Sequence, residues 1–130
     1  MISYAAPNTA RLRALLVDDN DHFLRAAGDH LERDGIDVVG VATTSAEALR
    51  RTRDAGPDVA LVDVMLGTEF GFDLVDALTQ AVAKPPRVIM MSTYAATDLA
   101  EMVAASPAIG FLPKARLSAL TIRALVAQAA

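Results

Sequence analysis

Cysteine is missing from this chain of 130 residues. That excludes disulfides, thiolate metal sites and cysteine nucleophiles, and it predicts a reducing, cytoplasmic setting. A basic excess is missing too. The formal net charge is −4, which argues against a nucleic-acid surface. No apolar run approaches the roughly 20 residues of a membrane span. Met1 to Asn8 has no basic region followed by an apolar core, so no signal peptide is expected. No repeat of 20–50 residues stands out. Neither a G-x-G-x-x-G fingerprint nor a P-loop occurs, which disfavours a nucleotide-binding module. No Gly/Ser-rich or Pro-rich linker divides the chain.

What is present is a globular composition at its apolar end, 53% hydrophobic and 22% charged. The length fits one domain with a sizeable core. Residues 1–10 read as a short polar extension and residues 11–130 as the domain. Leu12 to Val17 is a strand with a fully apolar second half. Asn20 or Asp21 caps a helix with Phe23, Leu24, Ala27 and Leu31 on one stripe, and Gly35 stops it. Ile36 to Ala42 is a second strand whose Asp37 and Gly40 give it the look of an edge. Thr44-x-x-Glu47 is a capping box that starts a second helix near Ser45. Ala46 and Leu49 should face inward there, with Arg50, Arg51 and Arg53 outward, and the helix should end near Gly56-Pro57.

Val59 to Val62 is the third strand, followed by a loop with Gly67 and Gly71. A helix with Phe72, Val75, Leu78 and Val82 comes next, closed by Pro85-Pro86. Val88 to Met91 is the fourth strand. Asp98 caps a short helix with Leu99, Met102 and Val103 inward. Ile109 to Leu112 is the fifth strand, and Ser118 caps the last helix. Five apolar strands alternating with five amphipathic helices predict an α/β fold, a parallel sheet covered on both faces.

The chemistry-bearing residues all fall at strand C-termini. Asp18 and Asp19 follow the first strand, Asp63 ends the third, Ser92 follows the fourth and Lys114 follows the fifth. Ligands of open parallel sheets bind outside those ends, where the strand order reverses. With the order 2-1-3-4-5, that crevice holds Asp18, Asp19 and Asp63 together. Three carboxylates in one cleft repel one another, and a hard cation relieves the conflict. Mg²⁺ prefers carboxylate oxygen and shares its shell with phosphate. Lys114 and the Ser92 hydroxyl suit a phosphoryl group, and a carboxylate can act as nucleophile to become an aspartyl phosphate. Taken singly, each of these residues has a plainer reading. Asp18-Asp19 can be a helix cap, Asp63 and Ser92 turn formers, and Phe111 a core residue.

Four segments together carry a resemblance. Leu16-Val17-Asp18-Asp19, Leu61-Val62-Asp63-Val64, Val88-Ile89-Met90-Met91-Ser92 and Gly110-Phe111-Leu112-Pro113-Lys114 make the chain similar to response regulator receiver domains of two-component systems. The resemblance spans roughly residues 12–129. It implies a (βα)5 doubly wound, flavodoxin-like parallel sheet of order 2-1-3-4-5. It also implies Asp63 as phosphoacceptor, with Asp19, Asp63 and the backbone carbonyl of Met65 binding Mg²⁺ and Asp18 holding the ion through water. Ser92 takes the family's switch hydroxyl position, Lys114 the phosphoryl-pairing position and Phe111 the switch aromatic position.

By the same resemblance the donor is a sensor histidine kinase or a phosphotransfer protein. The output is a protein-interaction face of the fourth helix, fifth strand and fifth helix, available for a partner or a homodimer, with no membrane or nucleic-acid contact by this domain. The Gly-Phe-Leu-Pro-Lys form resembles receivers of regulators with a LuxR-type output, so both a stand-alone receiver and the receiver part of a longer regulator are open. The alternative class is a Mg²⁺-dependent aspartyl-phosphate phosphatase or phosphotransferase. Such enzymes need an acid two residues past the nucleophile, where this chain has Met65.

Three departures from the family pattern stand out. Gly67 replaces the usual proline, which predicts a mobile loop. Ala115 follows Lys114 where many members have proline, which bears on how Lys114 is aimed. Met65 and Tyr94 occupy positions that in the family flank the path of the hydrolytic water, so the resemblance implies that they tune phosphoryl lifetime.

Overall fold

A computed structural model describes residues 11–93 and 99–129. Tyr94, Asp98 and the lead-in residues 1–10 lie outside them. Among the described residues, seven strands and five α-helices follow in order: β1 (Arg13–Val17), α1 (Asp21–Arg33), β2 (Asp37–Ala42), α2 (Ser45–Ala55), β3 (Val59–Asp63), β4 (Met65–Leu66), β5 (Glu69–Phe70), α3 (Gly71–Ala81), β6 (Arg87–Ser92), α4 (Ala100–Ala105), β7 (Gly110–Pro113) and α5 (Ala119–Ala129), with a 3-10 turn at Lys114–Arg116. The main sheet has the order β2-β1-β3-β6-β7, every pairing parallel. Counting those five strands in sequence, this is the expected 2-1-3-4-5 arrangement.

Strand alternation divides the core into two layers. Leu15, Val17, Ala60, Val62, Val88 and Met90 face α2 and α3. Leu16, Leu61, Ile89, Met91 and Leu112 face the other way, toward Leu24 and Leu31 of α1 and Ile122 of α5. The period of two thus sends successive residues of each strand to opposite helix layers. β3 is buried along its whole length, whereas β2, the edge, is mostly half-buried and its register slips between Ala14 and Leu15 of β1.

Local signals set the helix starts. The Asn20 side chain accepts from the Phe23 N–H at 3.0 Å. Thr44 Oγ1 accepts from the Glu47 N–H at 3.1 Å, and Glu47 Oε1 accepts from Thr43 N–H at 2.9 Å, one residue earlier than an ideal capping box. Ser118 Oγ accepts from the Thr121 N–H at 3.1 Å. Two inward assignments do not hold. Ala46 is exposed and Ala48 takes the buried position with Thr52, whose hydroxyl is satisfied by Ala48 O. Met102 is 40% exposed, because α4 is six residues long and buries none of them fully.

The segment after β3 is also more structured than an open loop. β4 and β5 form a small antiparallel hairpin, with Met65 opposite Phe70 and Leu66 opposite Glu69. Glu69 Oε1 accepts the Ser45 N–H at 2.9 Å, so this hairpin caps α2. Gly71 begins α3 under the end of β3, where an added Cβ would lie 2.1 Å from Asp63 O.

At the opposite, N-terminal ends of the strands Asp58 knots three strands. It accepts Arg13 N–H on Oδ2 at 2.9 Å, donates its own N–H to Arg13 O and accepts Arg87 N–H on its carbonyl.

Gly→Ala inside a helix ordinarily stabilises by about 0.5–1 kcal/mol. At position 71 the sign reverses. Gly71→Ala is expected to destabilise by about 1–3 kcal/mol through overpacking against the Asp63 carbonyl, read as a lower urea midpoint. A midpoint equal to or above that of the parent chain contradicts the close approach.

Candidate functional site

The sheet order puts β1 beside β3, with Val17 level with Val62. The next residues, Asp18 and Asp63, therefore emerge side by side at the rim. Asp63 is level with Met91 on β6, and Ser92 on β6 is level with Pro113 on β7. Lys114 follows Pro113 and reaches back across the sheet end. Its ammonium lies 2.5 Å from Asp18 Oδ2 and 3.1 Å from Asp63 Oδ2.

The surroundings of the acids differ. Asp18 is wholly buried. Its Oδ1 accepts the Asn20 N–H at 2.9 Å, while its Oδ2 meets no hydrogen-bond geometry and faces Lys114 as a charge pair. Asp63 is 8% exposed. Burial raises its pKa, and the Asp18 charge adds to the rise, against the pull of Lys114 and the Met65 backbone. On Lys114, burial works to lower the pKa, but the close approach of the Asp18 and Asp63 carboxylates outweighs it and the net shift is upward. Asp19 is exposed and accepts the Gly67 N–H on Oδ2 at 3.1 Å. Proline at 67 has no N–H to give, so the expected mobility of this loop meets a specific anchor instead; Gly67 takes a left-handed φ of 63°.

One oxygen from each of Asp18, Asp19 and Asp63 lies within 4.8 Å of the others. Asp18 Oδ2 is buried within this cluster and stands against the Lys114 ammonium. An all-carboxylate donor set with one exposed member fits a hard divalent ion that keeps part of its water. Asp19, Asp63, Met65, Gly67, Ser92 and Lys114 line a cavity of about 410 Å³. Ser92 is 3% exposed there, and Met65 stands at the rim, 45% exposed. Phe111 is not among the cavity residues. It is half-buried against the same core layer as Leu99 and Val103.

Sequence reasoning missed Phe23, over whose ring the Lys114 ammonium stands, 4.7 Å from the centroid. The available signal was an aromatic in the first turn of the helix that follows the Asp pair. The Gly67 N–H was missed as well, with no signal beyond a glycine near the site. The Lys114–Ala115 bond is trans.

The family model of the response regulator receiver domain matches residues 14–125. The chain belongs to this family. A protein-glutamate methylesterase/protein-glutamine glutaminase of Halobacterium salinarum is 37% identical over 89 residues, 68% of this chain and 24% of that protein. The receiver chain thus spans about a quarter of that relative's length. Among solved structures, a LuxR-family two-component response regulator from Aurantimonas sp. superposes with a TM-score of 0.78 at 24% identity, covering 91% of this chain and 84% of that one. A response regulator protein from Burkholderia pseudomallei, solved with a phosphorylated aspartic acid, a calcium ion and citrate, gives 0.74 at 26% identity, covering 88% of this chain and 65% of that one. Among the described residues of this receiver, no helix is long and apolar enough to cross a membrane.

The raised Asp63 pKa fixes a sign. In the metal-free fold ionising Asp63 costs stability; the cost is absent below its unfolded pKa and complete once pH has risen through the folded value. Asp63→Asn in chelator-treated protein is expected to raise Tm relative to the parent at pH 7, with the gap closing toward pH 3. A gap that widens in acid contradicts the environment described.

Proposed function

We propose that this receiver accepts a phosphoryl group on Asp63 from a sensor histidine kinase or phosphotransfer protein, with Mg²⁺. The observation that carries the reading is the Lys114 ammonium held between Asp18 and Asp63 at the mouth of the carboxylate cluster. The phosphorylated aspartic acid of the Burkholderia relative supports the same chemistry here. Asp19, Asp63 and the Met65 backbone carbonyl would hold the ion, with Asp18 reaching it through water. When bound, the ion offsets negative charge on the transferring group.

An Asp63 oxygen forms the new P–O bond as the P–N bond of the phosphohistidine breaks, and the electron pair returns to the imidazole. Lys114, already within hydrogen-bond reach of Asp63, pairs with the phosphoryl oxygens. The aspartyl phosphate carries more negative charge than the carboxylate it replaces, and its oxygens accept strong hydrogen bonds. Ser92, buried at the end of β6, turns its hydroxyl to one of them. The segment between β6 and α4 follows, and Phe111 changes rotamer. The face of α4, β7 and α5 is thereby re-shaped for a partner or a second copy; Met102 and Leu120 already expose apolar surface on it, Leu120 at 77%. Residues 1–10 form an extension to this unit, which works in the cytoplasm alone or as the receiver part of a LuxR-type regulator.

Asp63→Asn is expected to abolish acyl-phosphate formation from acetyl phosphate and Mg²⁺, read by intact-mass spectrometry, while the thermal transition stays cooperative. Labelling that survives the substitution overturns the assignment of Asp63.

Met65 at the cavity rim and Tyr94 are the proposed screens against hydrolytic water. The double variant Met65→Asn, Tyr94→Ser is expected to shorten the acyl-phosphate lifetime several-fold. A lifetime equal to that of the parent chain removes them from this role.

A further inference from the structure

We infer that Phe23 is a positioning residue for Lys114: its ring face keeps the ammonium on the side from which it reaches Asp18 and Asp63. The inference deepens the reading of Asp63 as phosphoacceptor and rests on it for its effect on rate, though not for the contact itself. Lysine carries a compact charge on a flexible four-carbon stem, so its head goes where local fields and packing send it. Here the backbone gives little direction. Lys114 opens a three-residue 3-10 turn and is followed by Ala115.

The ammonium is held by the two carboxylates and the ring. Asp18 and Asp63 stand at 2.5 and 3.1 Å, and the Phe23 centroid at 4.7 Å, inside the range over which an aromatic face attracts a cation. The Lys114 side chain is only 14% exposed. Phe23 itself is half-buried against the α1 and α5 core layer, so its ring is backed by packing.

The alternative place for the side chain is also visible. A cavity of about 200 Å³ lies beside Lys114, lined by Phe23, Ala26, Ala27, His30 and Leu31 of α1. Among the described residues, the ring face and the two carboxylates are the charged or aromatic contacts that hold the ammonium out of that space. Once Asp63 is phosphorylated its pull on Lys114 changes, while Asp18 and the ring stay in place. Phe23 thus acts on both the approach of the phosphoryl group and its retention.

The test uses the full chain and three forms: parent, Phe23→Leu and Phe23→Tyr. Leucine keeps apolar bulk and loses the π face; tyrosine keeps the face. Side-chain NMR of Lys114 in metal-free protein reads the contact directly, through the ring-current displacement of its Hε protons. Mass spectrometry reads the rate of acetyl-phosphate labelling with Mg²⁺. Phe23→Leu is expected to return the Lys114 signals toward free-lysine positions and to slow labelling about 2- to 5-fold. Phe23→Tyr is expected to keep both near the parent. The inference is overturned if Phe23→Leu takes label at the parent rate, or if Phe23→Tyr fails as the leucine variant does. If the leucine variant does not fold, Phe23→Met serves in its place. A parent chain that takes no label sinks the phosphoacceptor reading, and the NMR comparison still decides the contact.

Discussion

Two carboxylates at the ends of apolar strands share one ammonium, and the rest of the molecule is arranged around that contact. An isolated buried carboxylate is costly, and breaking a buried pair by removing one partner is destabilising on the order of 3–5 kcal/mol. Asp18 has no exposure at all, so it needs a partner opposite it. The sheet order supplies it: β1 against β3 brings the acids together, and β7 carries Lys114 to the same rim. With Asp19 included, three carboxylates face a single lysine. The excess is negative, which is the wrong sign for welcoming a phosphoryl group and the right sign for a divalent cation.

Anchoring within the layer that carries α3 and α4 is unequal. α3 buries Gly71, Phe72, Leu74, Val75 and Leu78, whereas α4 buries nothing fully. Elements with few buried apolar contacts open at the lowest free energy. The part of the fold that a switch would need to move is therefore the part held least. On the other side of Asp63, the hairpin of β4 and β5 is tied at Gly67 to Asp19, at Glu69 to α2 and at Gly71 to the Val64 carbonyl. A charge change at Asp63 meets a fixed wall there and a yielding one toward α4.

The main strands and their neighbours were legible because an uninterrupted apolar run between amphipathic helices has few other uses; each sheet strand lies within a residue or so of where Leu12–Val17, Ile36–Ala42, Val59–Val62, Val88–Met91 and Ile109–Leu112 predict it. The meeting of Asp18, Asp19, Asp63 and Lys114 was legible through the resemblance, since strand order does not follow from periodicity. β4 and β5 were not legible, because two residues each are too few to show alternation. Ala46 and Met102 went wrong for a shared reason: in small or short helices the apolar stripe is wider than the buried one, and the position that touches the core is set by neighbouring elements. Phe23 reads as one more apolar residue on a stripe. Its relation to Lys114 joins residues 91 positions apart, from 114 − 23, and nothing local marks it.

Asp58 gives the domain a mechanical asymmetry. It laces β1, β3 and β6 together at one end of the sheet, and a strand of five residues puts that knot roughly 16 Å below the rim. Strands pinned at the foot cannot splay or slide as a body. Displacement can only grow with distance from the pivot, and it is largest in the rim loops. The sheet is then clamped at its foot, and any strain introduced at the rim would be taken up by the loops before the core.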